Sequence, residues 1–213
     1  MKNIIGFDFS INKPAACVFS NNKYYFYGWP YKLRSDYEEL YKISGVNIIN
    51  RLDDKDKGET LSSKMIYEVQ NANYLANLIT DTLKCFLNID TYLAFEGLSY
   101  ASTGDVALQL GGYKYMLMHC LSKLVPYENM FTYTPIAVKS IAGCAKRGMG
   151  KNEMINKFIE EGPSCKFRIS LFEFPEKFHK KGGTTWIDNV DDLVDAYWIL
   201  ETLKQKEKSL FIT

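Results

Sequence analysis

Two short apolar runs in this chain each end on a carboxylate, and few folds tolerate that. Ile4-Ile5-Gly6-Phe7 leads into Asp8, and Tyr92-Leu93-Ala94-Phe95 leads into Glu96. Both runs read as buried strands. A charge at the end of a buried strand is expensive unless something of opposite sign meets it. A second acidic pair, Asp192 and Asp195, opens the last helical pattern, Asp192-Leu193-Val194-Asp195-Ala196-Tyr197-Trp198-Ile199-Leu200. Spaced three apart, the two share one helix face. A pair of divalent cations about 4 Å apart would supply the missing positive charge and could act on a phosphodiester.

The chain of 213 residues is long enough for one domain with a sizeable core, and a single domain over 1–213 is expected. Its net charge is +1, so nucleic-acid binding must come from local basic patches and not from a global field. The five cysteines, Cys17, Cys85, Cys120, Cys144 and Cys165, show no paired spacing. They read as reduced thiols in a reducing compartment, mostly filling the core. Asp8 interrupts any signal-peptide core, and no apolar run approaches the ~18 residues of a membrane span. A soluble, cytoplasmic protein without membrane partners is expected.

Strands are predicted at Asn3–Phe9, Ala15–Phe19 and Tyr24–Trp29, with Ser20-Asn21-Asn22-Lys23 as the hairpin turn between the second and third. Residues 30 to 59 read as a polar, irregular loop. A helix follows from Ser62, with Ile66, Val69, Ala72, Leu75, Ile79, Leu83 and Phe86 on its apolar stripe. The strand carrying Glu96 comes next. Val106, Leu110, Tyr113, Leu117, Leu121 and Leu124 then trace another helix. Phe131–Thr134 is a fifth strand, and helical stretches at 136–145 and 151–161 precede a loop-rich region up to the final helix. The order is that of an α/β fold: a five-stranded mixed sheet, made of a three-strand antiparallel meander plus two parallel strands, flanked by helices.

Several islands together resemble the RuvC-like Holliday-junction resolvases of the RNase H-like superfamily, including bacteriophage and poxvirus forms. Gly6-Phe7-Asp8-Phe9-Ser10 is similar to that family's first strand, and Ala94-Phe95-Glu96-Gly97 to the strand ending in its catalytic glutamate. Gly111-Gly112-Tyr113 sits at its small-residue helix, Pro135-Ile136-Ala137-Val138-Lys139 resembles its Pro-x-x-Val-Lys stretch, and Gly150-Lys151-Asn152-Glu153 its Lys-opened helix. Asp192-Leu193-Val194-Asp195-Ala196 looks like its closing acidic motif.

The resemblance implies an RNase H-like fold and a metal-dependent endonuclease that nicks four-way DNA junctions symmetrically as a homodimer. Asp8, Glu96, Asp192 and Asp195 would be both the catalytic residues and the ligands of two Mg2+ ions, with Mn2+ as a substitute. Four clustered carboxylates repel one another by about 4 kcal/mol per close pair at an effective dielectric near 20, so cations are required. Lys139, Lys146, Arg147 and Lys151 form a basic patch suited to phosphates, which Lys166, Arg168, Lys177, Lys180 and Lys181 could extend. Tyr100 is the ring offered for stacking on a junction base, one position later than the family's usual aromatic. His119 reads as a structural residue of the apolar helix, His179 has no assigned part, and Asp188 and Asp191 read as first-turn acids of the last helix.

Other readings stay open. A broader branched-DNA or RNA–DNA hybrid nuclease would need the same residues. A noncatalytic DNA-binding protein could keep the fold, although the intact acidic set argues against it. An actin-like ATPase or sugar kinase shares the Gly-x-Asp strand but needs a second domain of that kind. The exonucleases with Asp-x-Glu in the first strand do not match Asp8-Phe9-Ser10.

Overall fold

A computed structural model describes residues 2–51, 59–97 and 105–211. The chain begins with β1 (Asn3–Asp8), β2 (Ala15–Ser20) and β3 (Lys23–Gly28), an antiparallel meander. Asn21 and Asn22 turn the second hairpin with φ of 52° and 60°, the left-handed region that asparagine tolerates best after glycine.

The stretch expected to be loop contains two further elements, α1 (Ser35–Ile43) and β4 (Val46–Ile48). The sheet therefore has six strands and not five, in the order β4-β3-β2-β1-β5-β6 among the described residues. β4 has three residues, too few to show an alternation, and Gly45 at φ 75° makes the tight turn that joins it to α1. The charged segment at 53–58 lies outside the described residues.

After α2 (Leu61–Leu83) come β5 (Thr91–Glu96), α3 (Asp105–Leu121), β6 (Met130–Tyr133), α4 (Pro135–Ile141) and α5 (Lys151–Glu161). α6 (Lys166–Glu173) occupies the region expected to be loop-rich, and α7 (Val190–Lys206) closes the order. β5 runs parallel to both β1 and β6.

Helices cover both faces of the sheet. Ile5, Phe7, Ala16, Val18, Leu93 and Phe95 pack towards α2 and α3. Ile4, Cys17, Phe26 and Ala94 pack towards α4, α5, α6 and α7. This alternation is the period-two rule for strands. It puts Asp8 and Glu96, two residues beyond Gly6 and Ala94, on the α7 face.

The stripe expected on α2 is only partly core. Ala72, Leu75, Ile79 and Leu83 are buried, whereas Met65, Ile66 and Val69 are about 60% exposed and Leu61 is 76% exposed. His119, expected inside the apolar helix, is exposed, because it falls off the face that carries Tyr113, Leu117 and Leu121. Cys17, Cys120 and Cys144 are buried, Cys165 is half-buried, and Cys85 is exposed. Among the described residues no helix is long and apolar enough to cross a membrane.

Candidate active site

β1 and β5 are paired in parallel with Phe7 opposite Phe95, so Asp8 and Glu96 emerge from adjacent strands at the same level. The Phe7 and Phe95 rings stack at 5.0 Å on the opposite face and hold that register. α7 crosses β1 so closely that only glycine fits at position 6. Its first turns therefore reach the strand ends, bringing Asp192 and Asp195 to Asp8. Trp198 donates from Nε1 to the Met154 carbonyl at 3.1 Å, which ties α7 to α5 and sets Lys151 at the same edge.

The electrostatics report the crowding. Burial, followed by the charges of Asp195, Asp192 and Glu96, pushes the Asp8 carboxyl well above the ordinary aspartate range. Asp192 is pushed up to about 7 by burial and by Asp191. Asp195 also reaches about 7, through burial and the charge of Glu96, against the opposing pull of Lys151. Glu96 is raised by burial, with Lys151, Lys114 and Lys139 pulling the other way.

Lys151 is the main counter-charge. Its ammonium lies 2.5 Å from Asp191 and 3.9 Å from Asp195. Asp188 and Asp191, the acids at the start of the last helix, are thus both salt-bridged, since Asp188 meets Lys13 at 2.7 Å and Lys180 at 3.3 Å. Asp192 differs. It is 8% exposed, and its Oδ2 is buried without a hydrogen-bond partner.

That orphaned oxygen is a buried acceptor on a carboxylate that feels Asp191 on one side and Lys151 and Lys13 on the other. A bound cation would give it the partner it lacks. As the side chains stand, no three His, Cys, Asp or Glu donors among the described residues converge to grip one ion. Mg2+ does not require that, because it keeps several waters and binds through one or two carboxylates. The all-oxygen donor set fits a hard divalent cation better than zinc.

The expected basic patch divides. Lys139, on α4, and Lys151, opening α5, act electrostatically on Glu96. Lys146 and Arg147 are exposed on the loop between those helices, with Gly143 and Gly148 at φ 70° and 90°. Arg168 drops out of the suggested extension. Its guanidinium bonds the Ile159 and Glu160 carbonyls at 2.8 and 3.2 Å and so finishes α5. Tyr100 lies outside the described residues.

Two residues were not singled out from the sequence. Lys114 on α3 is 5% exposed, donates to the Glu96 carbonyl at 2.5 Å and stands 5.6 Å from the Phe95 ring centre. Its signal was a lone lysine three residues before Leu117 and four after Leu110, on the buried stripe itself. Asn189, fully buried at φ 76° just before α7, has no hydrogen-bond partner for either side-chain atom. A left-handed asparagine before a helix has no distinctive sequence signal.

With this geometry in view, the likeness to solved structures is specific to one architecture. RuvC of T. thermophilus, in complex with a Holliday junction substrate, superposes with a TM-score of 0.55 over 97% of both chains at 10% identity. A Thermus thermophilus RuvC structure gives 0.54 at 12% identity, covering 97% of this chain and 96% of that one. The chain has the RuvC fold. The yeast mitochondrial Holliday junction resolvase Ydc2 matches at 0.52 and 14% identity, over 98% of this chain and 80% of its own. No family model and no curated protein sequence matches the chain. At such identities the RuvC likeness carries the fold, and the site must be argued from this chain's own residues.

Proposed function

We propose that this chain is a metal-dependent endonuclease for branched DNA, with the four-way junction as its preferred substrate. The observation that carries this reading is the placement of Asp8 and Glu96 at adjacent strand ends of a RuvC-type sheet, beside Asp192 and Asp195 of α7. Burial raises all four carboxyls there, and repulsion within the set adds to the rise of Asp8 and Asp195. Two Mg2+ ions held by these carboxylates would supply activation of the attacking water and neutralise charge building on the leaving 3′ oxygen.

The chain's own residues do the rest. Asp8 and Glu96 are fixed by strand register, so they meet the substrate without reorganising. Lys151 neutralises Asp191 and part of Asp195, which lowers the repulsion an approaching phosphate meets. Lys139, Lys146 and Arg147 attract backbone phosphates without reading sequence.

A four-way junction needs two symmetric nicks, and one chain carries one such site. A C2 homodimer satisfies that requirement. Leu108, Gly112 and Tyr115 form an exposed stripe on α3, with Leu108 76% and Tyr115 65% exposed, and this is the face we assign to the second copy.

The test is cleavage of labelled four-way, three-way, flap and RNA–DNA hybrid substrates by wild type and Asp8→Asn with Mg2+. Wild type is expected to nick the four-way junction in pairs, and Asp8→Asn to bind it without nicking. Preference for the hybrid would favour the broader nuclease reading. Equal cleavage by both proteins would remove Asp8 from the site.

A further inference from the structure

The chain between α6 and α7 forms a small basic hairpin that neither the core nor the acidic cluster uses. The Lys180 N–H donates to the Thr185 carbonyl at 2.7 Å, and the Ile187 N–H to the Phe178 carbonyl at 2.8 Å. Between them His179 and Trp186 pair as an antiparallel bridge, with their rings 4.4 Å apart. Gly182 reverses the chain at φ 78°, with open space around it.

The base of the hairpin is rigid. Phe178 is fully buried against Tyr41 and Phe167. The Tyr41 hydroxyl donates to the Asp188 carbonyl at 2.5 Å, two residues before α7 begins. The hairpin is therefore held against the helix that carries Asp192 and Asp195.

Its outer side faces Arg34 and Tyr37 across a cleft of about 480 Å3, lined also by Lys177, Lys180 and Lys181. Two acids, Asp36 and Glu176, share the lining with the four cations Arg34, Lys177, Lys180 and Lys181. Asp36 is bound by Arg34 at 2.6 Å, and Asp188 takes up part of Lys180. Among the described residues Lys177 and Lys181 form no ion pair, although Lys177 lies 4.3 Å from the Phe174 ring centre. In a chain whose net charge is +1, this is a local excess of positive charge beside a local excess of negative charge.

We propose that this cleft binds the phosphodiester backbone of a DNA arm extending from the acidic site, with Lys177 and Lys181 as its contacts. Clustered carboxylates repel the backbone they must approach. Cations flanking them on a fixed support counter that repulsion and hold the arm in place. Lysines strung along an open hairpin suit a polyanion passing through, whereas capture of one small anion calls for a closed, forked donor set. The proposal rests on the nuclease reading of the acidic site.

Binding of a labelled four-way junction to the full chain carrying Asp8→Asn, followed across a salt series, tests it without any cleavage readout. Adding Lys177→Ala and Lys181→Ala is expected to weaken binding about ten-fold and to reduce the slope of log affinity against log salt by about two. Lys23→Ala with Lys84→Ala removes the same charge from exposed positions at the opposite end of the sheet and is expected to leave the slope unchanged. A slope for the hairpin variant equal to that of this control would overturn the cleft proposal and leave the nuclease reading standing. Failure of the parent chain to bind any DNA would remove both.

Discussion

Gly6 lies directly under Ala196: a Cβ placed on Gly6 would stand 2.3 Å from the Ala196 carbonyl oxygen and 2.5 Å from the Leu200 amide. Both obstacles are helix backbone, so the helix itself would have to move. The contact is where α7 presses onto β1, beginning at the residue after Asp195 and lying two residues from Asp8.

Gly6→Ala is therefore expected to destabilise the fold by about 1–3 kcal/mol or more, and to separate Asp8 from the α7 carboxylates. A melting temperature several degrees lower and junction cleavage reduced at least ten-fold would be seen together. Gly112→Ala makes the contrast. Nothing among the described residues of the chain lies within 4 Å of its added methyl. Within the single chain a helical alanine is therefore expected to be neutral or to gain up to about 1 kcal/mol. The comparison is made at a protein concentration where the chain is monomeric, since Gly112 lies on the face assigned to the second copy. If the two variants melt alike, close packing at Gly6 is not what positions α7.

A second expectation follows from the raised carboxyls. Asp192 and Asp195 titrate near 7 in the fold, against roughly 3.9 in an unfolded chain. Between about pH 4 and 7 the native state holds protons that the unfolded state has lost, so stability falls as pH rises through that window. The raised Asp8 and Glu96 act in the same direction. Asp188 is lowered by Lys13, and its contribution is lost only below about pH 4. Lys151 is raised, since its bond to Asp191 and the charge of Asp195 outweigh burial, and its contribution is lost only above about pH 10. Neither alters the balance between pH 5 and 8.

Metal-free protein is thus expected to melt lower at pH 8 than at pH 5, by roughly 1–3 kcal/mol of stability. Asp8→Asn should flatten this dependence and raise the pH 8 melting temperature, because it removes one of the repelling charges. Mg2+ should stabilise wild type at pH 8 more than it stabilises Asp8→Asn. A metal-free melting temperature that rises from pH 5 to pH 8 would contradict the direction of the shifts.

The legible part of this fold lies where a residue's type and its period agree. Asp8 and Glu96 can be placed because each ends a short apolar run that reads as a buried strand, and the parallel register of β1 and β5 then sets them at one level. Asp192 and Asp195 could be placed because a spacing of three keeps them on one side of a helix. β4 was missed because three residues show no period, and α6 because its apolar residues are split between the buried Phe167 and Leu171 and the exposed Ile169 and Phe172. Ile66 and Val69 fall on the apolar stripe of α2 and yet are exposed, because periodicity reports an apolar face and not what covers it. Arg168 is offered as an extension of the basic patch because charge alone does not reveal a carbonyl nine residues away that takes the guanidinium.

Lys114 offers the last test. Its ammonium is buried, bonded to the Glu96 carbonyl, and close enough to the Glu96 carboxylate to oppose its rise. A buried lysine has a large desolvation penalty, so Lys114→Met, which keeps the stem volume, removes an unfavourable burial as well as a favourable bond. The net change in stability is expected to stay within about 2 kcal/mol. The effect on the reaction is expected to be larger, because the end of β5 loses the contact that orients Glu96. A fall in kcat of about 10- to 100-fold, with KM for the junction little changed and more Mg2+ needed for half-maximal cleavage, is the pattern of a positioning residue. Cleavage by Lys114→Met within two-fold of wild type, at the same Mg2+ dependence, would show that Glu96 is held by strand register alone.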